Sequence, residues 1–145
     1  MKKIILTTLI GLVTLVSCDN GNGQTDEERK INFAELIDVP TSMEFDEMKF
    51  DFGTVTDGDV VTKVFTFENT GEEDLILINV KGSCGCTVPE DWPKQPISPG
   101  EKGEITVSFN SANRVGNTSK TVRVEANTLP TVTILKITGV VGAKK

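Results

Sequence analysis

The chain has 145 residues, 37% of them hydrophobic and 25% charged, which is the supply of one globular domain and excludes wholesale disorder. Its 15 Lys and Arg stand against 21 Asp and Glu, a net charge of -6, so it lacks the basic stripe that a phosphate backbone requires and nucleic acid is excluded as a partner. It has no histidine, which removes Ser/His/Asp and Cys/His nucleophile systems, imidazole bases and every His-containing metal site.

In chain order, Met1-Lys2-Lys3 forms a positive start and residues 4–16 an apolar run that is shorter than the roughly 20 residues a membrane-spanning helix needs. This is the pattern of a secretory signal occupying residues 1–17. Leu15-Val16-Ser17-Cys18 resembles the lipobox of bacterial lipoproteins, which implies cleavage before Cys18 and acylation of that residue. The odd one of three cysteines, Cys18, Cys84 and Cys86, is thereby accounted for. Several acyl chains, at about 0.8 kcal/mol per buried methylene, would hold the protein on a membrane of the bacterial cell envelope, in the periplasm or exposed at the surface. Asp19 resembles an inner-membrane retention signal of some bacteria, while other lineages sort by other rules, so the choice of membrane stays open.

Residues 18–40 read as the lipidated cysteine and a flexible tether, because residues 19–30 contain no apolar side chain to offset the entropy of ordering them. Residues 31–39 carry scattered apolar positions compatible with a short helix or an early strand. From Met43 the period is two. Val61, Lys63, Phe65 and Phe67 alternate with Thr62, Val64, Thr66 and Glu68, and the same holds around Ile105, Val107, Phe109 and around Val122, Val124, Ala126. Residues 75–78 and 132–137 are more uniformly apolar and predict central strands covered on both faces. Turn signals lie at Asp57-Gly58, Asn69-Thr70-Gly71, Pro99-Gly100, around Gly116, and over residues 127–130. The reading is an all-β, immunoglobulin-like sandwich of about seven strands over residues 41–145, with a small closed barrel as the competing topology.

Three signals resemble catalytic or metal chemistry. Asp51-Phe52-Gly53 spells a kinase triplet, but the glycine-rich and His-Arg-Asp loops are missing, so it reads as a strand end with Phe52 in the core. Asp57-Gly58-Asp59 lacks the other oxygen ligands of a calcium loop and reads as a turn with solvated charges. Glu44, Asp46, Glu47 and Asp51 could supply a hydrolase's carboxylate pair, yet alternation places Glu44 and Asp46 on one strand face and Glu47 on the other. Trp92, the single tryptophan, sits between Pro89 and Pro96, where it would either cap one end of the sandwich or, if exposed, anchor a partner.

Five blocks occur in a telling order: Phe50-Asp51-Phe52-Gly53-Thr54-Val55, then Gly58, then Val64-Phe65-Thr66-Phe67-Glu68-Asn69-Thr70-Gly71, then Ser83-Cys84-Gly85-Cys86-Thr87-Val88-Pro89, then Pro96-Ile97-Ser98-Pro99-Gly100-Glu101. Together they resemble the bacterial family called domain of unknown function 1573, from Phe50 to about Val141. The resemblance implies an extracytoplasmic Ig-like sandwich related to major-sperm-protein and Hydin-type interaction domains, with no activity attached.

The pair Cys84 and Cys86 admits several readings. In a straight strand, α-carbons two residues apart are about 6.6 Å from each other with near-parallel side chains, which is poor disulfide geometry. Gly85 could relieve this by taking a positive φ. An exported domain sits where disulfides persist, and so short a loop would gain little entropy and reduce easily, as a redox pair must. Two thiolates could alternatively hold Cu(I), whereas zinc and iron–sulfur clusters need more ligands; packing as free thiols or as a static staple is the plain structural reading. The sequence thus points to a lipid-anchored envelope module without catalysis or cofactor, bound to the membrane and to another envelope protein. The alternative is a thiol-active protein using Cys84 and Cys86.

Overall fold

The computed structural model describes residues 38–144. The expected signal peptide over residues 1–17, the lipidated Cys18 and the tether as far as residue 37 lie outside the described residues. Within them there is no helix, and eight strands follow in order: β1 Met43–Phe45, β2 Lys49–Thr56, β3 Val60–Asn69, β4 Leu77–Gly82, β5 Thr87–Asp91, β6 Lys102–Asn110, β7 Gly116–Ala126 and β8 Val132–Gly142. They form two four-stranded sheets, β1-β3-β6-β5 and β2-β8-β7-β4, so the architecture is the sandwich and not the barrel.

The extra strand has a local cause. Met43 to Phe45 pair antiparallel with β3, while β2 leaves for the other sheet and runs parallel to β8. Residues 46–48 make the switch, and each end is held: Asp46 N–H donates to the Thr66 carbonyl at 3.1 Å, and the Met48 carbonyl accepts from Lys136 N–H at 2.8 Å. One strand of a seven-stranded Ig-like plan is thus shared between both sheets. Gly53 is not a strand end. It forms a bulge inside β2, at φ +68, where the register with β8 shifts between Asp51 and Thr54 and its N–H is held by the Asp51 carboxylate at 2.8 Å.

Alternation explains what fills the sandwich. Phe65 and Phe67 of β3, Ile105, Val107 and Phe109 of β6, and Val122 and Val124 of β7 are buried between the sheets, and each large side chain contributes about 1.5–3 kcal/mol of transfer free energy. Phe52 is only half-buried; it stacks on Phe109 at 5.5 Å and fills the space left by Gly139, where a β-carbon would lie 2.2 Å from its ring. The two uniformly apolar segments are not covered on both faces. β4 is an edge strand with Ile78 exposed, and central β8 turns Ile134 and Lys136 to solvent, because each sheet has one outer face.

Two buried asparagines stitch the loops at one end. Asn69 Nδ2 donates to the carbonyls of Glu73 (2.7 Å) and Ile97 (2.8 Å), and its Oδ1 accepts from Thr41 Oγ1 and Gly71 N–H, both at 3.1 Å. Asn127 Oδ1 accepts from Ile76 N–H at 2.7 Å while Nδ2 donates to the Val39 and Asp74 carbonyls at 3.0 and 2.9 Å. The described chain is therefore tied to the domain from Val39 onward.

Candidate functional site

The Cys84/Cys86 segment lies where the chain crosses between sheets. β4 ends at Gly82 on the edge of one sheet and β5 begins at Thr87 on the edge of the other, so residues 83–86 close the sandwich on that side. Gly82 makes the crossing possible. A β-carbon there would lie 1.8 Å from the Thr87 carbonyl oxygen, a backbone approach only glycine permits. Ser83 prolongs the β4–β7 ladder, donating its N–H to the Thr121 carbonyl (2.9 Å) and accepting Thr121 N–H on Oγ (3.1 Å). Thr87 N–H then donates to the Cys84 carbonyl at 3.1 Å, closing a turn, and Asn110 N–H donates to the Cys86 carbonyl at 2.9 Å.

That turn brings the Cys84 and Cys86 α-carbons to 5.2 Å and the two residues form a disulfide. The positive φ expected at Gly85 is not used: among the described glycines it occurs at Gly53, Gly58, Gly100 and Gly116. The turn is instead closed by the Thr87–Cys84 hydrogen bond, and a β-carbon on Gly85 would meet nothing within 4 Å. Gly85→Ala is accordingly expected to keep the disulfide and to change stability by less than about 0.5 kcal/mol, checked by denaturant unfolding and thiol titration. The sulfurs are unequal. Cys86 is 5% exposed and packs with Phe109 and Val141, whereas Cys84 is half-buried between exposed Ser83 and Gly85. The buried Thr87 hydroxyl lies 3.7 Å from Cys84 Sγ and 3.9 Å from Cys86 Sγ. In this oxidised form the pair offers no thiolates to Cu(I), and among the described residues no cluster of three or more His, Cys, Asp or Glu could hold a metal ion.

Other sequence-predicted residues are placed apart from this turn. Trp92 packs half-buried against the main core with the Lys94 ammonium over its ring, which is the capping arrangement. Of the four acidic residues near β1, only Glu44 and Asp46 come together. Glu47 pairs with Lys63 at 2.6 Å, Asp51 holds Gly53, and Glu44 and Asp46 line a small surface depression with Glu68 and Thr70. The charges of the Asp57-Gly58-Asp59 turn are put to use: Asp57 Oδ1 accepts Asn113 N–H at 2.6 Å, pinning the β6–β7 loop, and Asp59 Oδ2 accepts Thr56 N–H at 2.8 Å, closing its own turn.

Which strand edge stays open is not readable from the sequence. β1 covers β3 only at Phe67, Glu68 and Asn69, so β3 has no described strand beside it over residues 60–65 on that side. The Thr66 carbonyl accepts from Asp46 on this edge, and by strand alternation the N–H and C=O groups of Thr62 and Val64 point the same way. On the adjoining outer face, Thr62 lies beside Ser108 and Ser108 beside Val88, with Val64 next to Thr106 and Val60 next to Asn110. Asp91 borders this patch beside Thr106, and Val60, Val64 and Val88 are 62%, 42% and 48% exposed. The signal was present in the polar half of the β3 alternation, whose members before Glu68 are Thr and Val where solvated positions usually carry charge.

No functionally curated protein matches the chain. Among solved structures, a protein of unknown function from Porphyromonas gingivalis W83 superposes with a TM-score of 0.62 at 16% identity over 72% of this chain and 48% of its own, so the chain spans about half its length. The ASH/PapD-like domain 7 of human CEP192 gives 0.58 at 12% identity, covering 73% of this chain and 89% of that one. The secreted serine protease VesC from Vibrio cholerae gives 0.54 at 14% identity over 77% of this chain and 25% of the protease. At such identities the likeness shows the sandwich fold alone. In sequence, the family model for "Protein of unknown function (DUF1573)" matches residues 43–141, well over half of the chain, and the chain belongs to the DUF1573 family.

Proposed function

We propose that the protein is a lipid-anchored, extracytoplasmic interaction module of the bacterial envelope, without catalysis of its own, that binds an extended segment of another envelope protein along the outward edge of β3. The observation that carries this reading is the unpaired stretch of β3 before Phe67, beside an exposed face rich in Val and Thr. An incoming strand would take the N–H and C=O groups of Thr62 and Val64 and lay alternate side chains against Val60 and Val64. Lys63, turned inward onto the Phe50 and Phe65 rings, is the kind of inward charge that discourages indiscriminate pairing at a sheet edge. The extracytoplasmic placement is supported by the signal-like start of the chain, by Cys18 and by the disulfide, which persists in oxidising compartments.

A photo-crosslinking side chain at Thr62 of the full chain, with Lys136 on the outer face of the other sheet as control, tests the reading in cells. Thr62 is expected to give a discrete adduct that Val64→Pro abolishes. Proline there removes a donor that points away from β6, so the domain keeps its own ladder. Equal yields at Thr62 and Lys136, or an adduct that survives Val64→Pro, would overturn it.

A further inference from the structure

From the unequal setting of its two sulfurs, we infer that the Cys84–Cys86 disulfide is a thiol-exchange site that accepts two electrons from a dithiol partner, with Cys84 attacked and Cys86 leaving. A thiolate must approach a disulfide in line with the bond, from behind the sulfur it attacks. Cys86 is buried in a cluster with Phe109 and Val141, so an incoming thiolate has little access to its sulfur. Cys84 packs against the same cluster but is only half-buried, and its neighbours Ser83 and Gly85 are exposed, so it is the sulfur that solvent reaches.

The steps balance. The partner's first thiolate bonds to Cys84 Sγ, the S–S bond breaks, and its electron pair leaves on Cys86 Sγ as a thiolate. The partner's second thiol, losing its proton, attacks its own sulfur in the mixed disulfide and expels Cys84 as a thiolate. The two partner protons end on Cys84 and Cys86; the partner dithiol is oxidised to a disulfide and this protein's disulfide is reduced to two thiols. Thr87, buried and within 4 Å of both sulfurs, can stabilise the departing Cys86 thiolate by donating a hydrogen bond to it without giving up its proton.

The reduced form keeps its shape. Ser83, Thr87 and Asn110 hold the crossing by backbone hydrogen bonds that do not pass through the sulfurs, and a bridge between residues two apart constrains the unfolded chain very little. Both thiols therefore stay in place for reoxidation. This site is separate from the β3 edge, and each can fail without the other.

The test incubates the folded full chain with dithiothreitol, quenches with an alkylating reagent, and reads the tryptic peptide of residues 82–94, which holds Cys84 and Cys86 but not Cys18. Both cysteines are expected to become alkylated with the far-UV circular dichroism unchanged. An aromatic disulfide reagent should then form a mixed disulfide at Cys84 in Cys86→Ser at least roughly tenfold faster than at Cys86 in Cys84→Ser. In reduced Cys84→Ser, adding Thr87→Val should move the pH midpoint of Cys86 alkylation upward. A peptide that stays oxidised until denaturant is added, or equal reactivity of the two sulfurs in folded single variants, would overturn the proposal. An unmoved pH midpoint would remove Thr87 from it.

Discussion

Asn69→Ala is expected to lower the unfolding free energy by about 3 kcal/mol, because the side chain is fully buried and hydrogen-bonds four groups of the surrounding loops. Alanine would leave Gly71 N–H without its acceptor and take one of two donors from each of the Glu73 and Ile97 carbonyls, which keep the Thr41 hydroxyl and Leu75 N–H. Thr41 is affected least, since its hydroxyl also lies 2.9 Å from the Glu73 carbonyl. Asn69→Asp separates the terms: it keeps the acceptor for Gly71 but loses both Nδ2 donors and places a carboxylate against two carbonyls, so it should cost at least as much as alanine. Denaturant unfolding of the full chain measures both. A loss below about 1 kcal/mol for alanine would mean that the loops at this end are held by their backbone alone.

Gly82→Ala is expected to cost about 3 kcal/mol, the upper part of the usual range for forced overpacking. The added methyl would meet the Thr87 carbonyl oxygen at 1.8 Å and its carbonyl carbon at 2.8 Å, and both are backbone atoms of the strand that must follow. Relief requires pulling β5 away from β4, which also opens the turn that holds Cys84 beside Cys86. The variant should therefore melt earlier and form the disulfide incompletely, whereas Gly85→Ala should do neither. If the two alanines behave alike, the crossing tolerates more movement than its geometry indicates.

The contrast between these glycines shows where sequence reading stops. The sandwich was legible because period two survives in every long strand, and the buried set of β3, β6 and β7 is the one the alternation names. The split of the first strand was not legible: alternation runs on through residues 46–48 regardless of which sheet the chain joins, and only hydrogen bonds to Thr66 and Lys136 reveal the switch. Asn69-Thr70-Gly71 reads as a turn, and the inward, fully bonded side chain of Asn69 follows from loops more than 25 residues away, such as the one at Ile97. For the cysteines, local spacing argues against a bridge in a straight strand. What makes the bridge is the contact of Gly82 with Thr87 across the crossing, and no periodicity encodes it. β4 and β8 were placed wrongly as doubly covered because an apolar run does not say which of its residues, Ile78 or Ile134 for example, will face solvent.

The proposal that the sandwich is displayed outside the cytoplasm on a lipid anchor is tested most directly by the intact mass of the chain recovered from envelope membranes. The account predicts a chain that begins at Cys18, carries acyl chains on that residue, and is two hydrogens lighter than its fully reduced form because Cys84 and Cys86 are joined. Recovery of the chain in the cytoplasmic fraction, unacylated and with Cys84 and Cys86 as free thiols, would contradict it.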